Sequence, residues 1–239
     1  MVDFDFGLQF DFDEKTDVTY YVDVVMCIDA TGSMDPLLDE VRNTALTLND
    51  RFMEAMEASG KHADQFRVKV VVFRDYMVDS EPMTASDFYV LPEQKSEFKN
   101  YLDAIEATGG GDEPENGLEA IATALQSDWV RKGEKQRHVV LMFTDASALE
   151  LGARKGCPNY PDNLPQTFAD LTDMWSCSSQ FFTTTFKPEA ARMILFVPNK
   201  EPWSRIDKSM DQVWVHYSNE TGLKNINMNE IIDVLVASI

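Results

Sequence analysis

The sequence is poor in cysteine and contains no long apolar run. Its three cysteines, Cys27, Cys157 and Cys177, are an odd number without CxxC spacing. They predict neither a disulfide framework nor a zinc site, although a pair between Cys157 and Cys177 stays open. No run of about 18 consecutive apolar residues occurs, so we expect no membrane-spanning helix. No basic segment followed by an apolar one opens the chain, so we expect no secretory signal and a cytoplasmic location.

Positive charge is also scarce. The chain has 21 Lys and Arg residues against 41 Asp and Glu residues, which gives a formal charge of −20 at pH 7. Nucleic acids and anionic membranes bind positively charged surfaces, so we expect neither as a partner. A basic partner or a bound cation fits this balance better. Since 44% of the residues are hydrophobic, the chain can form a sizeable core, and one large domain is expected.

Five apolar runs predict β-strands. Most of them are continuous rather than alternating, which is typical of strands covered on both faces. These runs are residues 21–28, 67–73, 139–143, 193–197 and 213–217. A weaker strand at 88–91 and a short helix at 93–105 are predicted before a glycine-rich turn.

Helical spacing of apolar residues fills the gaps between these strands. In the longest predicted helix Asp35 can be the cap, Pro36 is the first helical residue, and Gly60 can end the helix. Its apolar stripe consists of Leu37, Val41, Ala45, Leu48, Phe52 and Met56. Three further helices are marked by Leu118, Ile121, Ala122 and Leu125, by Phe168, Leu171, Met174 and Trp175, and by Ile231, Ile232, Leu235, Val236 and Ile239.

Strands that alternate with helices predict an α/β fold, with a doubly wound, mostly parallel sheet flanked by helices. We assign residues 20–239 to this domain. Residues 1–19 stand apart because phenylalanines alternate there with acids, which indicates either an additional edge strand or an arm that docks a partner. Residues 151–165 are rich in glycine and proline and are predicted to form a long loop.

A loop rich in oxygen ligands directly follows the first predicted strand. It contains Asp29, Thr31 and Ser33, spaced by two, and Gly32 allows a tight turn. Oxygen ligands without thiolate or imidazole favour a hard cation such as Mg²⁺, with Mn²⁺ or Ca²⁺ as alternatives. Ligands of doubly wound sheets lie beyond the carboxyl ends of the strands, where this loop is expected.

Two further loops carry acids toward the same edge. Asp145 follows the predicted strand at 139–143, and the glycine-rich segment 108–115 is strongly acidic. Because the carboxyl ends of parallel strands share one edge of the sheet, we expect the Asp29 and Asp145 loops to meet there, with the glycine loop reaching over them. Each acid alone could merely cap its loop, but their joint occurrence predicts a cation site.

This arrangement resembles the von Willebrand factor type A (vWA) domain and its metal-ion-dependent adhesion site (MIDAS). The resemblance rests on the strand at 24–28, the Asp-x-Thr-x-Ser motif at 29–33, the glycine-rich loop and the Asp145 loop. The Phe-Arg-Asp-Tyr segment 73–76 and the Gly-Gly-Gly-Asp-x-Pro-Glu segment look most like the intracellular, stand-alone bacterial members and the type linked to atypical kinases. The resemblance implies a Rossmann-like vWA fold over residues 20–239.

The resemblance also implies roles for single residues. Asp29 would hold the cation directly or through water, and Asp145 would act largely through water. Thr31 and Ser33 would coordinate the cation through their hydroxyls. The residues expected around the metal or against a partner are Arg74, Asp75, Thr108, Gly110, Gly111, Glu113 and Ser147.

One position departs from the family pattern. The family usually has a threonine just after the glycines, and here Asp112 takes that place, while Thr108 lies before the glycines as the other candidate ligand. If Asp112 binds the metal directly, its negative charge tightens the cation and weakens the pull of the cation on a partner's acid. If Asp112 acts through water, one coordination position stays open for the partner.

Other reactive side chains are assigned to structural roles. Cys27 lies within a predicted strand and is expected in the core. The histidines His62, His138 and His216 are assigned to the surface or to strand ends, and the four tryptophans to packing. For Arg74 and Asp75 both a structural ion pair and a place near the metal are open.

Three functions are compatible with these features. The first is a non-enzymatic protein-binding module, a scaffold or adaptor, in which an Asp or Glu of a protein partner completes the coordination of the cation. The second is a metal-dependent hydrolase or phosphotransfer component that uses the same acids. Against it, no second acid lies two residues after Asp29, no P-loop lysine follows the glycines, and no Ser/His/Asp order is evident. The third is a metal-free interaction domain. We expect the first, and the sequence leaves the oligomeric state open.

Overall fold

The computed structural model describes residues 18–111, 113–182, 184–218 and 228–236. The phenylalanine and aspartate residues of the N-terminal segment, Asp112 and Ile239 lie outside the described residues. The expectations for the N-terminal arm and for Asp112 as a ligand therefore stay predictions.

A seven-stranded sheet forms the centre of the described chain. Its strands are β1 (Tyr20–Asp29), β2 (Gln65–Phe73), β3 (Met83–Ala85), β4 (Tyr89–Leu91), β5 (Lys135–Phe143), β6 (Ala191–Pro198) and β7 (Val213–Ser218). The strand order is β3-β2-β1-β5-β6-β7, and β4 also pairs with β2. The long strands run parallel, whereas the short β3 and β4 are antiparallel to β2. The predicted mostly parallel α/β fold is confirmed.

Helices cover both faces of this sheet. The described α-helices are α1 (Asp35–Ala58), α2 (Lys95–Asp103), α3 (Gly117–Leu125), α4 (Phe168–Trp175), α5 (Trp203–Ser209) and α6 (Met228–Val236). Residues of α1, α2 and α6 share one hydrophobic core, and residues of α3, α4 and α5 share the other. In β1, Val24 and Met26 enter the first core while Val25 and Cys27 enter the second. Successive strand residues point to opposite faces, so a strand with two cores needs a continuous apolar run.

Helix α1 shows how local sequence places the site. All six residues of its predicted apolar stripe are buried, because a spacing of three and four keeps them on one face. The helix begins one residue earlier than expected. Asp35 is already helical and makes no side-chain cap, since a 3₁₀ turn at Gly32–Met34 leads directly into the helix. The motif at residues 29–33 is therefore joined closely to β1 on one side and, through the 3₁₀ turn, to α1 on the other.

The strand register brings the carboxyl ends of the central strands to one edge. Asp29 is paired with Phe73 at the end of β2, and Ile28 is paired with Phe143 at the end of β5. The loops after β1, β2 and β5 consequently leave the sheet side by side, as the topology predicts. Residues 151–165 contain neither helix nor strand, in agreement with the predicted loop.

Some elements escaped the sequence analysis. Strand β3 has only three residues, too few for a recognisable alternation, and the seven-residue α5 buries only Trp203 and Ile206. The assignment of His138 to the surface or a strand end was wrong. His138 lies within β5 and is fully buried, where its ring nitrogens contact the Val130 carbonyl at 2.9 Å and the Lys187 backbone N–H at 3.1 Å.

The cysteines and the helices match two expectations. Cys27 is buried, and Cys27, Cys157 and Cys177 are all free thiols, so the open Cys157–Cys177 pair does not form. None of the helices in the described part of the chain combines the length and the apolar character needed to cross a lipid bilayer.

Candidate metal centre

Asp29 is the buried anchor of the site. It is the last residue of β1 and is fully buried. Its Oδ1 accepts hydrogen bonds from the backbone N–H of Thr31 at 2.9 Å and from the Thr31 hydroxyl at 2.7 Å. Its Oδ2 accepts one from the Thr144 hydroxyl at 2.5 Å. The carboxylate is thus held by neutral donors from the β1 and β5 loops.

Ser33 and Asp145 extend this anchor outward. The hydroxyl oxygens of Thr31 and Ser33 are 3.2 Å apart, and Ser33 donates to Asp145 Oδ1 at 3.0 Å. Thr31 is buried, Asp145 is half-buried and Ser33 is exposed. The four side chains predicted from the sequence therefore form one continuous row of oxygen atoms that leads from the core to solvent.

The glycine loop lies directly over this row. Its Gly109 carbonyl accepts a hydrogen bond from Gly32 N–H at 3.2 Å, and Thr108 N–H donates to the Ala30 carbonyl at 2.9 Å. Thr108 contacts the motif through its backbone, and none of the described hydrogen bonds involves its hydroxyl. The choice between Thr108 and Asp112 as ligand stays a prediction because Asp112 lies outside the described residues.

Gly110 permits the close approach of the two loops. Its φ is +88°, and a Cβ added there would lie 2.7 Å from Thr31 Cβ and 3.0 Å from Glu115 Oε1. Neither the conformation nor the space suits a side chain. Its N–H donates to Asp79 Oδ2 at 3.0 Å. Gly111, at φ +121°, lies next to Val78.

Arg74 fastens the two loops to each other. Its Nε donates to the carbonyl oxygens of Ala30 at 3.1 Å and Thr108 at 3.0 Å, and a terminal nitrogen donates to the Glu106 carbonyl at 2.8 Å. The structure therefore shows Arg74 bonded to the backbone of both loops, and a role near a metal stays a prediction. An ion pair between Arg74 and Asp75 is not formed.

Asp75 pairs instead with an arginine from the long loop at 151–165. Arg154 Nε donates to Asp75 Oδ1 at 2.9 Å and its terminal nitrogen to Oδ2 at 2.6 Å. The pair is almost completely buried at Asp75. Sequence reasoning missed Arg154, since no local pattern indicates which distant cation reaches a given acid.

The outer rim carries a second polar group. Glu113 Oε2 accepts hydrogen bonds from Ser147 at 3.3 Å and from Lys200 Nζ at 2.6 Å. Glu113 and Ser147 are thereby brought together, as expected for residues at one rim. Lys200 was not predicted, because it follows β6 and only the sheet order brings that strand beside β5.

Glu115 is a buried acid to which the sequence analysis assigned no role. Only 4% of it is exposed, and its Oε2 has no hydrogen-bond partner among the described residues. Burial, together with the charges of Asp29, Asp75 and Asp79, raises the pKa of Glu115 to about 8 against the opposing charge of Arg154. Its membership of the acidic loop was visible in the sequence, but its burial was not.

Comparison with known proteins decides the family. The family model described as von Willebrand factor A domain matches residues 23–155, more than half of the chain. The chain belongs to the vWA family. The expected resemblance is confirmed at this level, while the MIDAS and the stand-alone bacterial placement stay predictions. No curated protein matched the chain.

Solved structures similar to this vWA domain are distant. A von Willebrand factor type A protein from Catenulispora acidiphila is 14% identical, with a TM-score of 0.45, over 92% of this chain and 42% of that one. The open pilus adhesin SpaC from Lactobacillus rhamnosus GG is 11% identical, with a TM-score of 0.47, over 90% of this chain and 29% of that one. Proximal thread matrix protein 1 from the mussel byssus is 12% identical, with a TM-score of 0.45, over 91% of this chain and 46% of that one. This chain spans less than half the length of each, and such weak similarity carries no argument on function.

The electrostatics of the vWA site favour an added cation. Burial, together with the charge of Asp145, raises the pKa of Asp29 to about 6, against the hydrogen bonds from Thr144 and Thr31 that lower it. Burial also raises the pKa of Asp145. Within the described residues no Lys or Arg forms an ion pair with either acid. A divalent cation would supply the missing positive charge.

The donor set fits a hard cation only if hydroxyls take part. No three His, Cys, Asp or Glu side chains in the described chain are arranged to hold a metal ion. The Thr31 and Ser33 oxygens must therefore complete any coordination by Asp29 and Asp145. Oxygen donors of this kind match Mg²⁺, Mn²⁺ or Ca²⁺ rather than a soft metal.

Proposed function

We propose that this vWA domain is a non-enzymatic module that binds a protein partner through a divalent cation. The observation that supports it best is the continuous row of Asp29, Thr31, Ser33 and Asp145 oxygens, with successive contacts of 2.7 to 3.2 Å. Mg²⁺ is the proposed ion, and Mn²⁺ or Ca²⁺ could substitute. When bound, the ion would provide an electrophilic centre for an Asp or Glu of the partner.

Each residue of this vWA site has a distinct task in the proposal. Asp29 supplies the buried negative charge, and Thr144 and the Thr31 backbone fix its orientation. Thr31 and Ser33 present hydroxyl oxygens, and Asp145 accepts the Ser33 proton in a hydrogen bond, which leaves the Ser33 lone pairs for the ion. Such indirect support orients ligands in many metal sites.

The surface beside the site supports a protein partner. Met77 and Val78 follow β2 and are 62% and 56% exposed. Val78 lies against the glycine loop, because a Cβ on Gly111 would be 3.2 Å from Val78 Cγ2. Exposed large apolar side chains next to a polar centre are suited to the rim of a protein interface. The sequence analysis singled out neither residue.

The proposal assigns no catalytic role to the site. The described side-chain contacts of Thr31 and Ser33 are with each other and with carboxylates, and none is with a histidine or lysine that could act as a general base. The cytoplasmic location and the stand-alone bacterial character are proposed on the sequence features alone.

A thermal-shift titration with Mg²⁺ tests the metal. Binding to the folded state alone must stabilise it, by about 2.7 kcal/mol at a concentration 100 times Kd. We expect a shift in the wild type and none in Asp29→Ala or Ser33→Ala. Ser59→Ala is the matched control, because Ser59 is an exposed hydroxyl at the end of α1 that bonds only to Ala55 O, and it should shift like the wild type. Equal shifts in all variants would refute the metal site.

A pull-down with and without chelator tests the partner. We expect proteins that are retained with Mg²⁺ to be lost with chelator and with Ser33→Ala. Met77→Ser should reduce retention while leaving the Mg²⁺ thermal shift intact. Retention that is indifferent to chelator would favour the metal-free interaction domain, and hydrolysis of phosphate or ester substrates that depends on Asp29 would favour an enzyme.

A further inference from the structure

The opposite edge of the sheet contains a positively charged groove. It lies at the amino ends of β5 and β6, has a volume of about 410 Å³, and is lined by four basic side chains. These are Lys135, Arg137, Lys187 and Arg192, with Glu134 and Glu189 beside them. We call it the amino-edge groove. It is unusual in a chain with a formal charge of −20.

Strand register explains why two arginines meet there. Val139 of β5 is paired with Arg192 of β6. Arg137 lies two residues before Val139, on the same face of the sheet. Both arginines are only 7% exposed. Neighbouring strands therefore hold two guanidinium groups side by side at the floor of the groove.

Arg137 is buried, and no acid of the described residues pairs with it. A terminal nitrogen donates to the Gln136 carbonyl at 2.8 Å, but its Nε is buried and has no hydrogen-bond partner among the described residues. No carboxylate of the described chain forms an ion pair with it. Burial and then the charge of Arg192 lower the pKa of Arg137 to about 10. Buried charges in proteins are normally paired.

The neighbouring acids do not serve as this partner. Glu134 and Glu189 are exposed, and neither forms an ion pair within the described residues. Lys187 donates its Nζ to the Gln136 side chain at 2.5 Å, so it too is held at the groove by a neutral acceptor. Within the described residues, Arg137 and Lys187 are therefore held by neutral acceptors, where a structural ion pair would supply a carboxylate.

We propose that the amino-edge groove binds a small oxyanion, a phosphate or carboxylate group, through the guanidinium groups of Arg137 and Arg192. The planar guanidinium of arginine can donate two parallel hydrogen bonds to two oxygens of such a group. One of these donors would be Arg137 Nε, which has no hydrogen-bond partner among the described residues. A long polyanion is disfavoured because the rest of the chain is strongly acidic. This site is separate from the vWA metal centre, which lies at the carboxyl edge.

Two-dimensional NMR of the full chain, titrated with sodium phosphate or sodium succinate at constant ionic strength, tests this proposal. We expect saturable shifts of the backbone amides of residues 134–137 and 187–192. Loss of a charge-assisted hydrogen bond of about 1.5–3 kcal/mol should weaken binding about 10- to 100-fold in Arg137→Gln. Lys187→Gln should weaken it less. Arg51→Gln is the control, because Arg51 is exposed and pairs with Glu54 on α1.

Further variants keep the result decisive. Arg137→Lys preserves the positive charge but not the planar guanidinium, so it should bind the anion more weakly than the wild type does. It replaces Arg137→Gln if that variant does not fold. Tighter binding of phosphate than of succinate identifies the ligand class as a phosphate ester, and the reverse identifies a carboxylate. Equal affinity in Arg137→Lys, Lys187→Gln and the wild type, or saturable shifts elsewhere only, would overturn the proposal. The absence of any saturable shift in the wild type would overturn it as well.

Discussion

The two ends of β1 each bury an aspartate, but they balance its charge in different ways. Asp23, near the amino end, is 1% exposed and receives two hydrogen bonds from Arg67 at 2.8 and 2.6 Å. Asp29, at the carboxyl end, is equally buried but is surrounded by hydroxyls and by the acid Asp145. The buried carboxylate of Asp23 has a built-in cation and a structural role, whereas that of Asp29 has none and keeps a raised pKa. In our proposal a divalent cation supplies the positive charge that Asp29 lacks.

Removal of the charge at Asp23 should have the largest effect on stability. Asp23→Asn leaves the half-buried guanidinium of Arg67 without the counter-charge of Asp23. It also weakens the hydrogen bond from Val130 N–H, which is 2.6 Å long. We expect a loss of about 3–5 kcal/mol in the free energy of unfolding, measured by urea denaturation. Asp50→Asn, which breaks an exposed pair with Lys95, should cost less than about 1 kcal/mol. Similar losses in both variants would show that the Asp23–Arg67 pair contributes no more to stability than an exposed ion pair does.

A side chain at Gly110 should be the next most damaging change. Gly110→Ala combines a positive φ with a contact of 2.7 Å to Thr31, so we expect a loss of about 2–4 kcal/mol and a weakened Mg²⁺ response. Gly156→Ala is a close control, because Gly156 has φ +95° but open space around it. It should lose only about 1–2 kcal/mol and keep the response. If the two variants behave alike, the packing of the glycine loop on the motif is not what shapes the site.

His138 should make the amino end sensitive to acid. It is paired in register with Asp23, and burial lowers the pKa of its imidazole below the usual 6.5, against the hydrogen bond to Val130 and the charge of Asp23. The unfolded chain therefore binds this proton more readily. The contribution of neutral His138 to stability is complete above about pH 6.5 and is lost as the pH falls below it. Each unit by which the pKa is lowered corresponds to about 1.4 kcal/mol.

The variant His138→Gln should show a shallower loss of stability between pH 6.5 and 5 than the wild type, as followed by thermal unfolding in the presence of chelator. His62→Gln is the control, since His62 is exposed and should leave the slope unchanged. A slope that is the same in all three proteins would mean that His138 does not contribute to acid sensitivity.

The smallest effect on stability is expected at the rim of the candidate metal site. Met77→Ser removes an exposed side chain and should change the free energy of unfolding by less than about 0.5 kcal/mol. Met56→Ser, at a fully buried position of α1, should cost about 2–5 kcal/mol. Urea denaturation of both variants separates a surface kept apolar for binding from a core kept apolar for folding. A large loss in Met77→Ser would show that the Met77 side chain contributes to folding.

The sequence was informative wherever a pattern is local. Continuous apolar runs predicted the parallel strands, and the spacing of Asp29, Thr31 and Ser33 placed three oxygens in one turn at the end of a strand. Asp145 could be added because parallel topology brings its loop to the same edge. These four residues do meet in the structure, as expected.

The remaining contacts depend on long-range packing that no local pattern contains. Arg154 reaches Asp75 from a distant loop, and Lys200 reaches Glu113 from beyond β6. Glu115 was visible as an acid, but only the folded loop shows that it is buried. The proximity of Arg137 and Arg192 likewise depends on the register of two strands far apart in the chain, in which Val139 is paired with Arg192.

The three hydrogen bonds of Arg74 connect two loops at the carboxyl edge of the sheet. Its guanidinium connects the Ala30 carbonyl after β1 with the Thr108 and Glu106 carbonyls before the glycines. Neither loop can move away alone without breaking bonds that also restrain the other. Any rearrangement at this edge must therefore be cooperative, and a fluorescent label on the glycine loop would report events at the motif after β1.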